Sequence, residues 1–160
     1  MTRESVLRFA QCLTDHAAER IDFLEDPCSY SPDDWREIRK ITGLDLAMDR
    51  PAEFVNPEAQ VLVLKPARED VSRYLDRKQR LVVTSNMDHA LGQCYAAVQA
   101  ARLAAGNSGV DQCGLQTHRL FETDQFSERL GSGGPGFHPP GGHGLGFDDL
   151  LDNLPWKRLS

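Results

Sequence analysis

A chain of 160 residues with 40% hydrophobic and 26% charged side chains can build one packed core and is too short to divide into two. Eighteen basic against twenty-four acidic residues give a formal charge of -6, and the longest basic patch, Arg77, Lys78 and Arg80, sits beside Asp76, so nucleic acid is not an expected partner. No segment approaches the roughly 18 uninterrupted apolar residues of a membrane span, and Cys12, Cys28, Cys94 and Cys113 are too scattered for a disulfide framework. These features predict a soluble, cytoplasmic protein with reduced thiols and no membrane contact.

The first element in chain order is an amphipathic helix over Thr2 to Leu24, with Val6, Leu7, Ala10, Leu13, Ala17, Ile21 and Leu24 on one stripe and Pro27 ending it. A second helix spans Ser31 to Thr42. Ser31 can cap it, Pro32 suits its first position, Tyr30 and Trp35 occupy staple positions, and Gly43 can close it in a left-handed conformation. Trp35, Ile38 and Ile41 supply its apolar face, and the staple position makes Trp35 a packing residue rather than a binding platform.

Asp49 to Glu58, punctuated by Pro51 and Pro57, reads as a loop, followed by a strand over Gln60 to Leu64 and a helix over Ala67 to Arg77. A second buried strand covers Leu81 to Ser85. Ser85 with Asp88 then opens a helix from about Asn86 to Ala105, with Met87, Leu91, Cys94, Tyr95, Val98 and Ala101 on one side. After the Gly106 to Gly109 turn, Gly114 to Phe121 is a third strand, weakened by its polar residues.

Gly131 to Gly146 is dominated by glycine and proline, which fill neither a helix nor a central strand, so this segment reads as an arm. Beyond it Phe147, Leu150, Leu151 and Leu154 recur at the spacing of a short helical face, with Trp156 next. An apolar face behind a loose tether must bury itself, either on its own domain or in a groove of another protein.

For chemistry, the turn Thr84, Ser85, Asn86, Met87, Asp88, His89 gathers hydroxyls, a carboxylate and free backbone N–H groups where a strand feeds a helix. Its plainer role is to cap that helix; its sharper one is to bind a ligand through Thr84, Ser85, Asp88 and His89. The His89/Cys94 and Cys113/His118 pairs are each five residues apart, which places their side chains on different faces of a helix or strand. His138 and His143 lie on the arm without a third ligand. No metal site and no cofactor are therefore expected, and Cys94 reads as a buried structural thiol.

The resulting fold expectation is α/β or α+β: two N-terminal helices packed on a small three-stranded sheet with crossover helices over residues 1–130. An extended Gly/Pro-rich arm, 131–146, and a docking peptide, 147–160, follow. The leading functional expectation is a non-catalytic interaction protein, such as a small subunit, adaptor or assembly factor. It would dock on another protein or a second copy of itself through Phe147, Leu150, Leu151, Leu154 and Trp156. The alternative is a small enzyme or ligand-binding domain using the Thr84 to His89 turn, with Asp88 or His89 as acid or base.

Overall fold

The computed structural model describes residues 1–49, 57–130 and 135–158. Pro51 and most of the loop expected around it, together with the first four residues of the arm, lie outside the described residues.

The long N-terminal helix is replaced by three elements. Helix α1 spans Arg3–Cys12, opened by a capping box between Thr2 and Ser5, and Leu13 is extended. Thr14 starts a new cap, its hydroxyl accepting from the Ala17 N–H at 3.2 Å, for the single turn α2, Asp15–Ala18. Phe23–Glu25 then forms strand β1. The spacing of Ile21 and Leu24 fits a helix, but a polar cap in mid-run and pairing with a neighbouring strand override it.

Helix α3, Pro32–Thr42, follows its local signals: the Ser31 hydroxyl accepts from the Asp34 N–H, and Gly43 closes the helix at φ 69°. Tyr30 and Trp35 meet edge-to-face at 5.2 Å, and the buried Trp35 indole N–H donates to the Cys28 carbonyl at 3.3 Å.

Three further strands complete a four-stranded sheet: β2 Asp45–Asp49, β3 Val61–Leu64 and β4 Arg80–Val83. All neighbours are parallel, and the order is β1-β2-β3-β4. This corrects the expected three strands. β2 was hidden because its core is short and its ends, Asp45 and Asp49, are charged. The expected third strand over Gly114 to Phe121 reduces to two isolated parallel bridges, Leu81 with Val110 and Thr84 with Gly114, followed by a 3-10 turn over Thr117–Leu120. Likewise Ala67 to Arg77 is a turn with a short 3-10 segment, Val71–Tyr74.

After β4 comes α4, Ala90–Gly106, which starts later than expected because His89 caps it. It buries Ala90, Gln93, Cys94, Ala96, Ala100 and Leu103, not the face running through Met87, Tyr95 and Val98, and Met87 is exposed. Two short helices finish the described chain, α5 Gln125–Leu130 and α6 Asp148–Asp152.

Period-two alternation sorts the strand residues onto two faces. Leu46, Leu62, Leu64, Leu81 and Val83 pack with Val6, Trp35, Ile38, Ala96 and Leu103 of the helices. Phe23, Ala47, Val61, Val63 and Val82 form a separate apolar layer on the other face. At the amino end of that second face Arg80 donates to Asp22 at 2.7 and 3.0 Å and to Asp111 at 2.6 and 2.9 Å, with Asp45 at 3.7 Å. Four flat strands would hold β1 and β4 about 14 Å apart, beyond the reach of one arginine. The sheet therefore curls around its second face, and Arg80 pins the amino end of the curl. A sequentially ordered parallel sheet with helices on its outer side is the winding of a barrel wall.

Candidate functional site

The same alternation predicts what stands at the carboxyl end of the concave face. Two residues beyond Phe23 is Glu25, beyond Ala47 is Asp49, beyond Val63 is Lys65, and beyond Val82 is Thr84. Four consecutive parallel strands thus deliver two carboxylates, an ammonium and a hydroxyl to one edge, where ligands of parallel α/β sheets bind.

Lys65 Nζ forms an ion pair with Asp49 Oδ2, with the two side chains only 16% and 14% exposed. Burial first, and the charge of Asp49 second, hold the Glu25 carboxyl above its ordinary range, while Lys65 pulls it the other way. The Asp26 carboxylate accepts from the Asp49 N–H at 3.3 Å, and the Asp26 N–H donates to the Ala47 carbonyl at 2.9 Å, which ties the end of β1 to the end of β2. Beyond Lys65, Glu69 accepts from the Lys65 N–H at 3.2 Å and from the Tyr74 hydroxyl at 2.6 Å, so the backbone carrying the ammonium is held by a fixed carboxylate. Burial and this bond raise the Tyr74 phenol well above its usual range, keeping it a donor.

The β4–α4 turn is the one part of this edge that sequence reasoning singled out. Thr84 Oγ1 is buried and has no hydrogen-bond partner among the described residues. Ser85, one residue on, faces the helices and shares a 2.7 Å hydrogen bond with Thr117 Oγ1. Asp88 accepts from the Asn86 N–H at 2.9 Å and curls over α4, where a Cβ at Gly92 would lie 2.4 Å from Asp88 Cβ. Met87 sits at φ 56° and Asp26 at φ 41°, two left-handed non-glycine residues at this same edge.

His89 Nδ1 accepts from the Leu91 N–H at 3.4 Å, which leaves the ring hydrogen on Nε2 to donate to Asp124 at 2.7 Å. The Ser127 N–H first, and His89 second, pull the Asp124 carboxyl down to about 2. The expected cap of Ser85 and Asp88 on a helix opening at Asn86 is not formed: Ser85 bonds Thr117, Asp88 closes the turn on the Asn86 N–H, and His89 caps α4 instead.

The cysteine–histidine pairs do not converge. Cys94 is buried on α4, where desolvation pushes its thiol up to about 11, and His89 pairs with Asp124 instead. Cys113 Sγ donates to the Asp111 carbonyl at 3.2 Å, while His118 is buried with Nδ1 lacking a partner among the described residues. No group of three or more His, Cys, Asp or Glu side chains that could hold a metal occurs among the described residues. Glu25 and Asp49 nevertheless suit a hard divalent cation, because magnesium commonly takes only one or two protein carboxylates and keeps waters.

The tail packs on its own chain. Phe147 is fully buried against Ala90, Cys94 and Leu130, with Leu150 and Leu151 beside it and Phe126 edge-on at 5.2 Å. Arg129 clamps Asp149 in a two-pronged ion pair, and Trp156 remains 69% exposed with its indole donating to the Leu151 carbonyl at 2.6 Å. The face expected to dock elsewhere is thus largely spent within the chain; only Leu154 and Trp156 still face solvent.

No family model matches the sequence. An o-succinylbenzoate synthase of Bdellovibrio bacteriovorus is 34% identical over 148 residues, covering 87% of this chain and 45% of that protein. Another, of Citrobacter koseri, is 31% identical over 138 residues, covering 80% and 43%. The chain spans less than half the length of these curated relatives. Among solved structures, a mandelate racemase/muconate lactonizing protein from Herpetosiphon aurantiacus superposes with a TM-score of 0.56 over 76% of this chain and 38% of its own, at 20% identity, a likeness of fold alone. These matches overturn the non-catalytic subunit, adaptor or assembly factor expected from the sequence: the relatives are enzymes, and an α/β fold with a parallel sheet and helices is shared. The apolar tail misled because its internal partners, on α4 and α5, could not be read from the tail itself. The alternative expectation, a small enzyme or ligand-binding domain using the Thr84 to His89 turn, agrees better in that the relatives are enzymes.

Proposed function

We propose that this chain carries the proton-transfer face of an o-succinylbenzoate synthase-like enzyme, with Lys65 exchanging a proton with a carboxylate-bearing substrate and Glu25 and Asp49 holding a divalent cation. The observation that supports this reading is the placement of Glu25, Asp49 and Lys65 on successive parallel strand ends, with a largely buried ion pair among them.

The product in the relatives' name is an aromatic ketone with two carboxylates, so its formation requires charge to be managed next to a carboxylate and protons to be moved at carbon or oxygen. A lysine amine is suited to such proton transfer, and a magnesium ion held by Glu25 and Asp49 would supply a positive charge for a developing oxyanion. To reach substrate the Lys65 ammonium would turn away from Asp49, while Asp26 and Glu69 keep the backbones of Asp49 and Lys65 in place. Thr84, with its buried hydroxyl, offers an oxygen-binding contact at the adjacent strand end.

The test is titration of the purified protein with o-succinylbenzoate in the presence and absence of magnesium, followed by product assays with Lys65→Arg. Magnesium-dependent binding, and a loss of activity of about 10²- to 10⁴-fold in the arginine variant, are expected. Absence of binding, or an arginine variant as active as the parent, would remove this reading.

A further inference from the structure

Gln93 is a fully buried amide on α4, a helix that otherwise turns alanines, Cys94 and Leu103 into the protein. Placing an amide there carries a desolvation cost unless every polar atom is met. All are engaged with one edge of the molecule. Gln93 Nε2 donates to Thr117 Oγ1 at 2.7 Å and to the Asp88 carbonyl at 3.1 Å, and Gln93 Oε1 accepts from the Thr117 N–H at 3.3 Å. Thr117 Oγ1 in turn shares its 2.7 Å bond with Ser85 Oγ. One side chain therefore grips both ends of the β4–α4 turn, through Ser85 and Asp88, and locks them to the start of the 3-10 turn.

The neighbours of this network point to what it serves. Thr84 directly precedes Ser85 and His118 directly follows Thr117, and Thr84 Oγ1 and His118 Nδ1 are buried atoms without a partner among the described residues. Thr84 lies at the strand-end site beside Gly114, where a Cβ would meet the Thr84 methyl at 3.2 Å. Met87, within the gripped turn, holds a left-handed backbone at φ 56° that a methionine adopts only when its surroundings impose it.

We propose that Gln93 is a positioning residue for the candidate site: it holds the β4–α4 turn against the Thr117 segment so that the Thr84 hydroxyl stays aimed at an oxygen-rich ligand. The proposal rests on the preceding functional reading for the nature of that ligand, but not for the grip itself. A glutamine is required rather than a residue of its shape, since Gln93 supplies donor and acceptor together.

Hydrogen exchange of Gln93→Leu, Gln93→Glu and Thr117→Val in the full chain tests it, alongside titration with o-succinylbenzoate and magnesium. In the leucine and valine variants, protection at Ser85 and Thr117 should fall by about tenfold or more, the equivalent of one lost buried hydrogen bond, while α4 from Ala96 to Leu103 keeps its protection. Affinity for the dicarboxylate should fall by about the same factor. The glutamate variant should recover part of the protection at low pH, where its protonated carboxyl supplies one donor in place of two, and should lose it once it ionises. Unchanged turn protection in both network variants, loss spread evenly along α4, or a glutamate variant without pH dependence would each overturn the proposal. If the parent protein fails to bind the dicarboxylate, the functional reading falls and exchange alone decides the role of Gln93.

Discussion

The two ends of the curled sheet are built from the same kinds of side chain and behave in opposite ways. At the amino end Arg80 meets Asp22, Asp111 and Asp45, and its bonds to Asp22 and Asp111 raise the guanidinium further above its usual range. The Asp111 carboxyl is lowered, first by the Gln112 N–H and then by Arg80. There the charged forms are the favoured ones. At the carboxyl end Lys65 meets Asp49, yet Glu25 is pushed the other way by burial and by its acidic neighbour. A group whose charged form is disfavoured costs stability at neutral pH, and its presence points to chemistry.

The largest effect that would sharpen this contrast is Lys65→Arg. It keeps the positive charge and should leave Tm nearly unchanged while activity falls by about 10²- to 10⁴-fold, as read by product formation and thermal denaturation on one preparation. If Tm falls as steeply as activity, the carboxyl end is structural as well. Arg80→Met makes the reciprocal case. It should cost about 1 kcal/mol, because the guanidinium reaches solvent, and the loss should shrink in high salt, without altering ligand affinity.

Ser31→Ala, remote from both ends, supplies a local reference. Its capping bond is long, 3.5 Å, so a loss of about 0.5 kcal/mol in urea denaturation is expected. The smallest effect is Glu25→Gln. Because burial raises the folded carboxyl above its unfolded value, the favourable protonated form is fully present at acid pH and its benefit is lost as pH rises through the carboxylate range. The variant should therefore melt slightly above the parent near pH 7 and level with it below about pH 4. Melting below the parent at pH 7 would place Glu25 among the stabilising residues.

How much of this was legible depends on the range of the signals. Helix α3 could be read from Ser31, Pro32, Trp35 and Gly43 because a cap, a staple and a C-terminal glycine act within one helix. The strands β3 and β4 were legible as short apolar runs buried on both faces. β1 and β2 were not, because three to five residues with charged ends become strands only when a neighbour pairs with them. The site was missed with them: Glu25 lay just past an expected helix, Asp49 at the start of an expected loop, and Lys65 between a strand and a helix. A signal did exist. Phe23-Leu24-Glu25-Asp26-Pro27, Ala47-Met48-Asp49-Arg50-Pro51 and Leu64-Lys65-Pro66 each place charge between an apolar run and a proline. Proline ends the strand, and the charge before it is left at the strand's carboxyl edge. Gln93 was illegible for a different reason: its bond to the Asp88 carbonyl is local, but Thr117, which meets both ends of its amide, lies on a segment whose course only the tertiary fold defines.

The identity between strand order and chain order has a consequence for how the molecule is made. Each strand pairs with the one synthesised just before it, so a chain emerging from the ribosome always has its docking edge already present. β1 waits only for β2, β2 for β3, and no strand must be inserted between two that have already joined. The Arg80 clasp to Asp22 is the first contact that reaches back across the whole sheet, and it can close only when the fourth strand arrives. Addition of each of these strands at the edge left by the one before it limits the time that edge is open to wrong partners.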